Sequence, residues 1–192
     1  MSVKERKERE RAERERLIVA TARELAEQQG WDAVTTRRLA ERIEYSQPVL
    51  YSHFRGKREI IGAVALDGAA ELARALRAAT STAEGPRAQV AALAHGYLDF
   101  AEHHPAVYDA LFQLDGGLAY AQEDTPQQLK DAFAALEETL GQVTGSGVHP
   151  GLFTEVFWAS LHGLATLART GRLLPDDAEA RVQLLVDRLP VL

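Results

Sequence analysis

Residues 46–58 run Ser-Gln-Pro-Val-Leu-Tyr-Ser-His-Phe-Arg-Gly-Lys-Arg. Ser46 can cap a helix, and a proline one or two residues inside a helix start is tolerated. Leu50 and Phe54, four apart, then face inward. Gln47, Pro48, Val49, Ser52 and His53 are left outward, a face of amide, methyl and hydroxyl groups. Such groups suit base edges in a DNA major groove, which admits one α-helix. A reading helix needs a second to brace it. Residues 35–43, Thr-Thr-Arg-Arg-Leu-Ala-Glu-Arg-Ile, supply it. Thr35 or Thr36 caps this helix, and Leu39, Ala40 and Ile43 point inward. Glu44-Tyr45-Ser46 joins the two, which gives a helix-turn-helix. Many helical proteins contain such a pair, so the pattern by itself leaves DNA binding open.

Two other constellations compete for a chemical role. His95, Asp99 and His103 fall on one helix face, with Glu102 and His104 nearby. That spacing suits metal ligands, but hydrogen-bonded or solvated side chains account for it as well, and we expect no metal. Cysteine is absent, which excludes disulfides, thiolate zinc sites and cysteine nucleophiles. The chain has no His-Glu-x-x-His, no Gly-x-Ser-x-Gly and no phosphate- or dinucleotide-binding glycine loop. No enzymatic activity and no cofactor are expected. The second constellation is aromatic. Tyr97, Phe100, Tyr108, Phe112, Phe133, Phe157 and Trp158 either form a plain core or line an apolar pocket. In the second case His104, Tyr108 and His162 are its orienting groups.

The elements that position these residues are helical throughout, since Ala, Leu, Glu and Arg dominate and nothing alternates as a strand does. An alternating Lys/Arg/Glu arm covers residues 1–13; it is either a solvated, partly helical tail or a nucleic-acid contact. A helix follows over 14–29, with Leu17, Ala20, Thr21 and Leu25 at helical spacing, Gly30 as its stop and Trp31 packing beneath it. After the helix pair, a rod over 57–79 is long enough to reach a second module. Residues 80–86 are linker-like. Further helices are expected over about 86–103, 106–114, 126–143, 150–169 and 175–189. The module boundaries are thus 1–13, 14–60 and 61–192. Two late stripes, Phe153, Val156, Phe157, Ser160, Leu161 and Leu164, then Val182, Leu185 and Leu189, would pair across a twofold as a four-helix bundle.

The charge pattern agrees with two modules. Residues 1–60 hold 14 Lys/Arg and 11 Asp/Glu, a net of +3, whereas the whole chain carries −6. The remaining residues therefore carry −9, and the helix pair sits in the basic part. The start, Met-Ser-Val-Lys-Glu-Arg, has no signal-peptide core, and the apolar stretch 156–168 is too short to span a bilayer. The expected location is the cytoplasm, without membrane contact.

The string from Thr35 to Glu59, above all Leu50-Tyr51-x-His53-Phe54-x-x-Lys57, closely resembles the DNA-binding domain of the TetR family of bacterial transcription regulators. The likeness covers about residues 12–64. Downstream, Trp158 and His162-Gly163 resemble the Trp-His-Gly motif of one C-terminal subfamily. The resemblance implies an all-α regulator with an N-terminal reading domain and a C-terminal domain for effector binding and dimerisation. It implies that Arg37 reaches a guanine, Gln47 reads a base edge, and Pro48 and Val49 touch thymine methyls. Thr35, Thr36, Tyr51, His53 and Lys57 match phosphate-contacting positions, and Ser52 shares the outward face. The implied partners are a palindromic DNA operator, a second copy of the chain and a small apolar or aromatic effector that releases a repressor. A ligand-insensitive regulator or an activator is the alternative. Two residues depart from the family pattern. Glu44 stands where glycine is usual in the turn, with Arg42 close enough in sequence to neutralise it. Val49 replaces a common threonine.

Overall fold

A computed structural model describes residues 2–188, and all their regular structure is helical. The elements are α1 (Val3–Gln29), α2 (Thr36–Arg42), α3 (Gln47–His53), α4 (Lys57–Ser81), α5 (Pro86–His103), α6 (Pro105–Phe112), α7 (Gln127–Leu140), α8 (Pro150–Arg169) and α9 (Ala178–Asp187). Single 3-10 turns occupy Trp31–Ala33 and Pro175–Asp177. No helix among the described residues is long and apolar enough to cross a membrane.

The charged arm is not separate from the first helix. α1 starts at Val3 because Ser2 and Glu5 form a reciprocal cap, each side chain accepting the other's backbone N–H, at 3.2 and 2.7 Å. Lys4–Glu8, Arg6–Glu10, Arg9–Glu13 and Arg11–Glu15 then lie one turn apart. Such pairs each support a helix by a few tenths of a kcal/mol. The inward face of α1 also differs from expectation. Ile18, Val19, Thr21, Ala22, Leu25 and Ala26 are buried, while Leu17 and Ala20 are exposed.

The contacts divide the chain into two compact units. One holds the described residues up to Gly68 together with His104–Pro126; the other holds Ala69–His103 and the described residues from Gln127 onward. This division does not coincide with the expected boundary after residue 60. The reason is α6, which is bound to α1. The Glu27 carboxylate accepts the N–H groups of Ala106 and Val107, at 3.0 and 3.3 Å, which caps the start of α6. Trp31 donates its indole N–H to the Ala106 carbonyl at 2.8 Å. Arg23 donates to Nδ1 of His104 at 3.1 Å, so that imidazole accepts there. Val107 packs where a side chain on Gly68 would stand, and the Gly116 carbonyl lies where one on Gly62 would stand. Ile18, Leu25, Val34, Leu39, Leu50, Ile60, Val107 and Tyr108 are among the fully buried side chains of this unit.

The second unit packs α5, α7, α8 and α9 with the later turns of α4. Leu72, Leu76, Val90, Leu93, Tyr97, Leu136, Leu140, Phe157, Leu161 and Val182 are at most 3% exposed. Three residues expected at a dimer interface are therefore taken up by the chain's own core: Phe157, Leu161 and Val182. Val156 is 62% exposed, whereas Phe153, Ser160, Leu164 and Leu185 are half-buried. Leu189 lies outside the described residues.

Two substitutions test these packing claims. α2 ends in a Schellman turn: Glu44 takes φ +58°, and the Tyr45 N–H reaches back to the Ala40 carbonyl at 2.9 Å. A side chain in that left-handed conformation costs about 1–2 kcal/mol, less the freedom glycine gains when unfolded. Glu44→Gly is expected to stabilise the protein by about 0.5–1 kcal/mol, read as a higher denaturant midpoint at unchanged slope. Gly62→Ala is expected to do the opposite. Alanine is the better helix former, but its methyl meets the Gly116 backbone, and overpacking of this kind costs about 1–3 kcal/mol. A melting temperature at or above wild type would show that loop 115–118 is free to move aside.

Candidate nucleic-acid interface

The helix pair is assembled by its caps. Thr35 accepts the Arg38 N–H at 3.2 Å and starts α2. Ser46 occupies the cap position of α3, but its hydroxyl makes no cap bond; its carbonyl takes the Val49 and Leu50 amides instead. Leu50 is 1% exposed and anchors α3. Phe54 does not extend that stripe as expected. It lies just beyond α3 on extended backbone and is half-buried. Tyr51 is 51% exposed, and its hydroxyl lies 3.3 Å from that of Thr36, which ties the outer faces of α2 and α3 together.

The expected reading residues stand at the open end of α3. Gln47 and Pro48 are exposed, Val49 is half-buried, and Ser52 is exposed with its hydroxyl turned onto the Val49 carbonyl at 2.6 Å. His53 is placed differently. Its ring is 5% exposed and donates from Nδ1 to the Glu15 carboxylate of α1 at 3.2 Å. Burial raises the Glu15 carboxyl, but His53 and Arg11 outweigh it and hold the group below its ordinary value. A side chain so enclosed braces α3 on α1 rather than offering itself to a phosphate.

Several cations of this unit have a protein partner. The Arg37 side chain is 78% exposed, and its Nε bonds Glu41 of the same helix at 2.9 Å. Arg42 pairs at 2.7 Å with Glu24 of α1, which corrects the expectation that it would neutralise Glu44. Arg55 binds Glu59, whose carboxyl is held low first by the Arg55 backbone N–H and then by its guanidinium. Arg58 reaches Asp115 at 3.0 Å. Lys57 opens α4 half-buried and donates to the Trp31 carbonyl, so it also holds the chain below α1 in place. The roles of Glu27, Trp31 and Asp115 have no local signal in the sequence, because each depends on a partner brought in by folding.

The expected pocket residues fall in both units. Tyr97, Phe100, Phe133, Trp158 and His162 belong to the second. Tyr97 is fully buried and Phe100 is 4% exposed; Phe133, Trp158 and His162 are half-buried. Trp158 donates its indole N–H to the Tyr97 hydroxyl at 3.0 Å, and its ring centre lies 6.4 Å from that of His162. His104, Tyr108 and Phe112 belong to the first unit, where Tyr108 is buried with its ring edge-on to Phe112 at 4.9 Å. A surface concavity between residues 84–88 and 142–143 involves none of the eight. Of the His95, Asp99 and His103 trio, His95 lies 3.5 Å from Glu179, and Nδ1 of His103 donates to the Asp99 carbonyl at 2.8 Å.

Comparison with known proteins matches this geometry at both ends of the chain. Residues 18–64 match the family model of bacterial regulatory proteins of the tetR family, and residues 90–189 match the tetracyclin repressor-like C-terminal domain. The chain is 31% identical over 96 residues to an uncharacterised HTH-type transcriptional regulator of Bacillus subtilis, covering 50% of each. Over 48 residues it is 48% identical to the class C tetracycline repressor of Escherichia coli, 25% of this chain and 22% of the repressor. It therefore matches only half of the Bacillus protein and less than a quarter of the repressor. The solved structure of a protein with unknown function from a Rhodococcus species superposes with a TM-score of 0.73 at 26% identity, covering 90% of both chains. With α2 and α3 inside one family match and most of α5 through α9 inside the other, the chain belongs to the tetR family of bacterial regulatory proteins.

Proposed function

We propose that this protein is a homodimeric repressor that reads a palindromic operator through α3 and is released from it by a small-molecule effector. The observation that carries the reading role is the exposure of Gln47 and Pro48 on the first turn of α3, ahead of the buried Leu50. The Gln47 amide matches adenine N6 and N7 in the major groove, and Pro48 and Val49 present carbon to thymine methyls. Arg37 reaches a guanine by leaving Glu41. Thr35, Thr36, Tyr51 and Lys57 fix register on phosphates, as such contacts do in general.

Dimerisation is supported by an exposed apolar row on α8. Leu152 and Val156 are 58% and 62% exposed, Leu167 is 41% exposed, and Gly163 between them allows close helix approach. Leu184 of α9 is 57% exposed and extends the same chemistry. A twofold dimer matches a pseudo-palindrome when its two α3 helices lie one DNA turn apart, about 34–36 Å. Release is supported by the Glu27 cap, since a shift of α6 acts directly on α1. An effector moves the equilibrium only by its differential affinity for the bound and released states.

Selection from a random DNA library tests the reading. The expected product is a pseudo-palindrome with half-sites about 10 base pairs apart, centre to centre. Gln47→Ala is expected to cost about 1–3 kcal/mol on that sequence and to relax one base pair per half-site. An equal loss on random DNA would remove Gln47 from the readers, and an operator that no ligand releases would favour the ligand-insensitive regulator. For the dimer, Val156→Glu places a carboxylate in the row and is expected to yield monomer by sedimentation at micromolar concentration. An unchanged dimer would move the interface elsewhere.

A further inference from the structure

We propose that Thr154, Trp158, His162 and Thr166 form a binding row on α8 for a largely apolar, uncharged ligand bearing hydroxyl or carbonyl groups. The inference rests on the effector reading above and adds the chemistry of the effector. The four residues recur every fourth position, so they form one ridge along the helix. At about 1.5 Å per residue the ridge is roughly 18 Å long.

The ends of the ridge carry the argument. Thr154 is fully buried, yet its hydroxyl makes no hydrogen bond; the Thr166 hydroxyl is buried and unpaired as well. Hydroxyls elsewhere in these helices turn back onto their own backbone. Thr80 bonds the Leu76 carbonyl at 3.1 Å, Ser160 that of Val156 at 3.0 Å and Thr170 that of Thr166 at 2.8 Å. Thr154 and Thr166 do not take this bond, although it is open to any helical threonine. A buried hydroxyl that has lost water and gained no partner destabilises the fold, and valine has the same shape without that cost. A ligand oxygen placed against each hydroxyl would supply the missing partner.

The residues between them suit a neutral, partly aromatic body. Trp158 offers a half-buried indole already fixed by its bond to Tyr97. The His162 imidazole is held below the usual histidine range, first by burial and then by Arg169, so it is neutral at neutral pH. A neutral imidazole donates at one nitrogen and accepts at the other. Four uncharged groups give an ion nothing to offset its desolvation, and the positive charge of Arg169 near His162 further disfavours a cation.

Resveratrol, a flat apolar body with phenol hydroxyls at its ends, is the probe; it is shorter than the ridge and meets one threonine from either half, and trans-stilbene is its hydrocarbon control. Thr154→Val and Thr166→Val are each expected to raise the melting temperature of the free protein. Together they are expected to weaken resveratrol about tenfold or more by calorimetry, and to leave trans-stilbene within about twofold. A lowered melting temperature would mean that the hydroxyls have internal partners, and would overturn the proposal. So would resveratrol binding that ignores both substitutions, or no binding at all. Operator release is read separately. Binding to the row without release would refute the effector reading and leave the site standing. Release by a compound that ignores both substitutions would do the reverse.

Discussion

The carboxylate of Glu27 meets the N-terminus of α6, some 80 residues away in sequence. A helix start leaves several N–H groups without partners, and half-buried ones must find some. Here an ionised group from α1 takes two of them, and hydrogen bonds to charged groups contribute about 1.5–3 kcal/mol. Trp31 adds its indole bond to the Ala106 carbonyl in the same turn, and Arg23 holds the His104 ring just ahead of Pro105. Because of this cluster, α6 and the loop after it belong to the compact unit that carries the reading pair. The loop then needs room on α4, which the glycines at 62 and 116 provide. Lys57 closes the arrangement by holding the Trp31 carbonyl from the start of α4.

This explains why the fold was legible in the sequence while the division into units was not. Gly30, Pro86, Pro105, Gly171 and the threonines before α2 act locally, so helix limits could be read within a few residues. The Schellman turn at Glu44 could also be read, because a left-handed position after a helix has one geometry whatever fills it. The cap on α6 is nonlocal. Nothing in Glu-Gln-Gln-Gly-Trp marks Glu27 or Trp31 as partners of residues 106 and 107. The arm, expected to be solvated and partly helical, is exposed but helical from Val3 onward and continuous with α1, which could not be read for a different reason. Its helix depends on one reciprocal cap and a ladder of ion pairs, with no apolar periodicity to reveal it.

The candidate residues sort by the same rule. Gln47, Pro48, Tyr51 and Ser52 are exposed because Leu50 fixes the phase of α3, and a seven-residue helix with one buried leucine leaves little choice of face. His53 lies next in the chain but is enclosed, because α1 passes there with Glu15. On α8 the same phase argument needed a correction. Phe157, Leu161 and Ala165 define its inward side, so a row a half-turn away, with Leu152, Val156 and Leu167, faces outward. A stripe of apolar residues in sequence shows that a helix has two sticky faces. Only the packing of α5 and α7 decides which one is already used.

The ion pairs also change what the basic segment means. A net of +3 sets the basic residues in the same part of the chain as the helix pair, yet Arg37, Arg42, Arg55 and Arg58 each hold a carboxylate. Exposed pairs are worth about 0–1 kcal/mol, so releasing one costs little. The gain on release differs between targets. A bidentate contact to the correct base is worth about 1–3 kcal/mol. A lone phosphate contact in salt returns mainly counterion release, which weakens as ionic strength rises. If Arg37 reads a guanine as proposed, leaving Glu41 is favourable on the correct base and near neutral on random sequence. On that proposal the internal carboxylates would lower non-specific affinity more than specific affinity, so discrimination in this weakly basic unit would rise because attraction is modest.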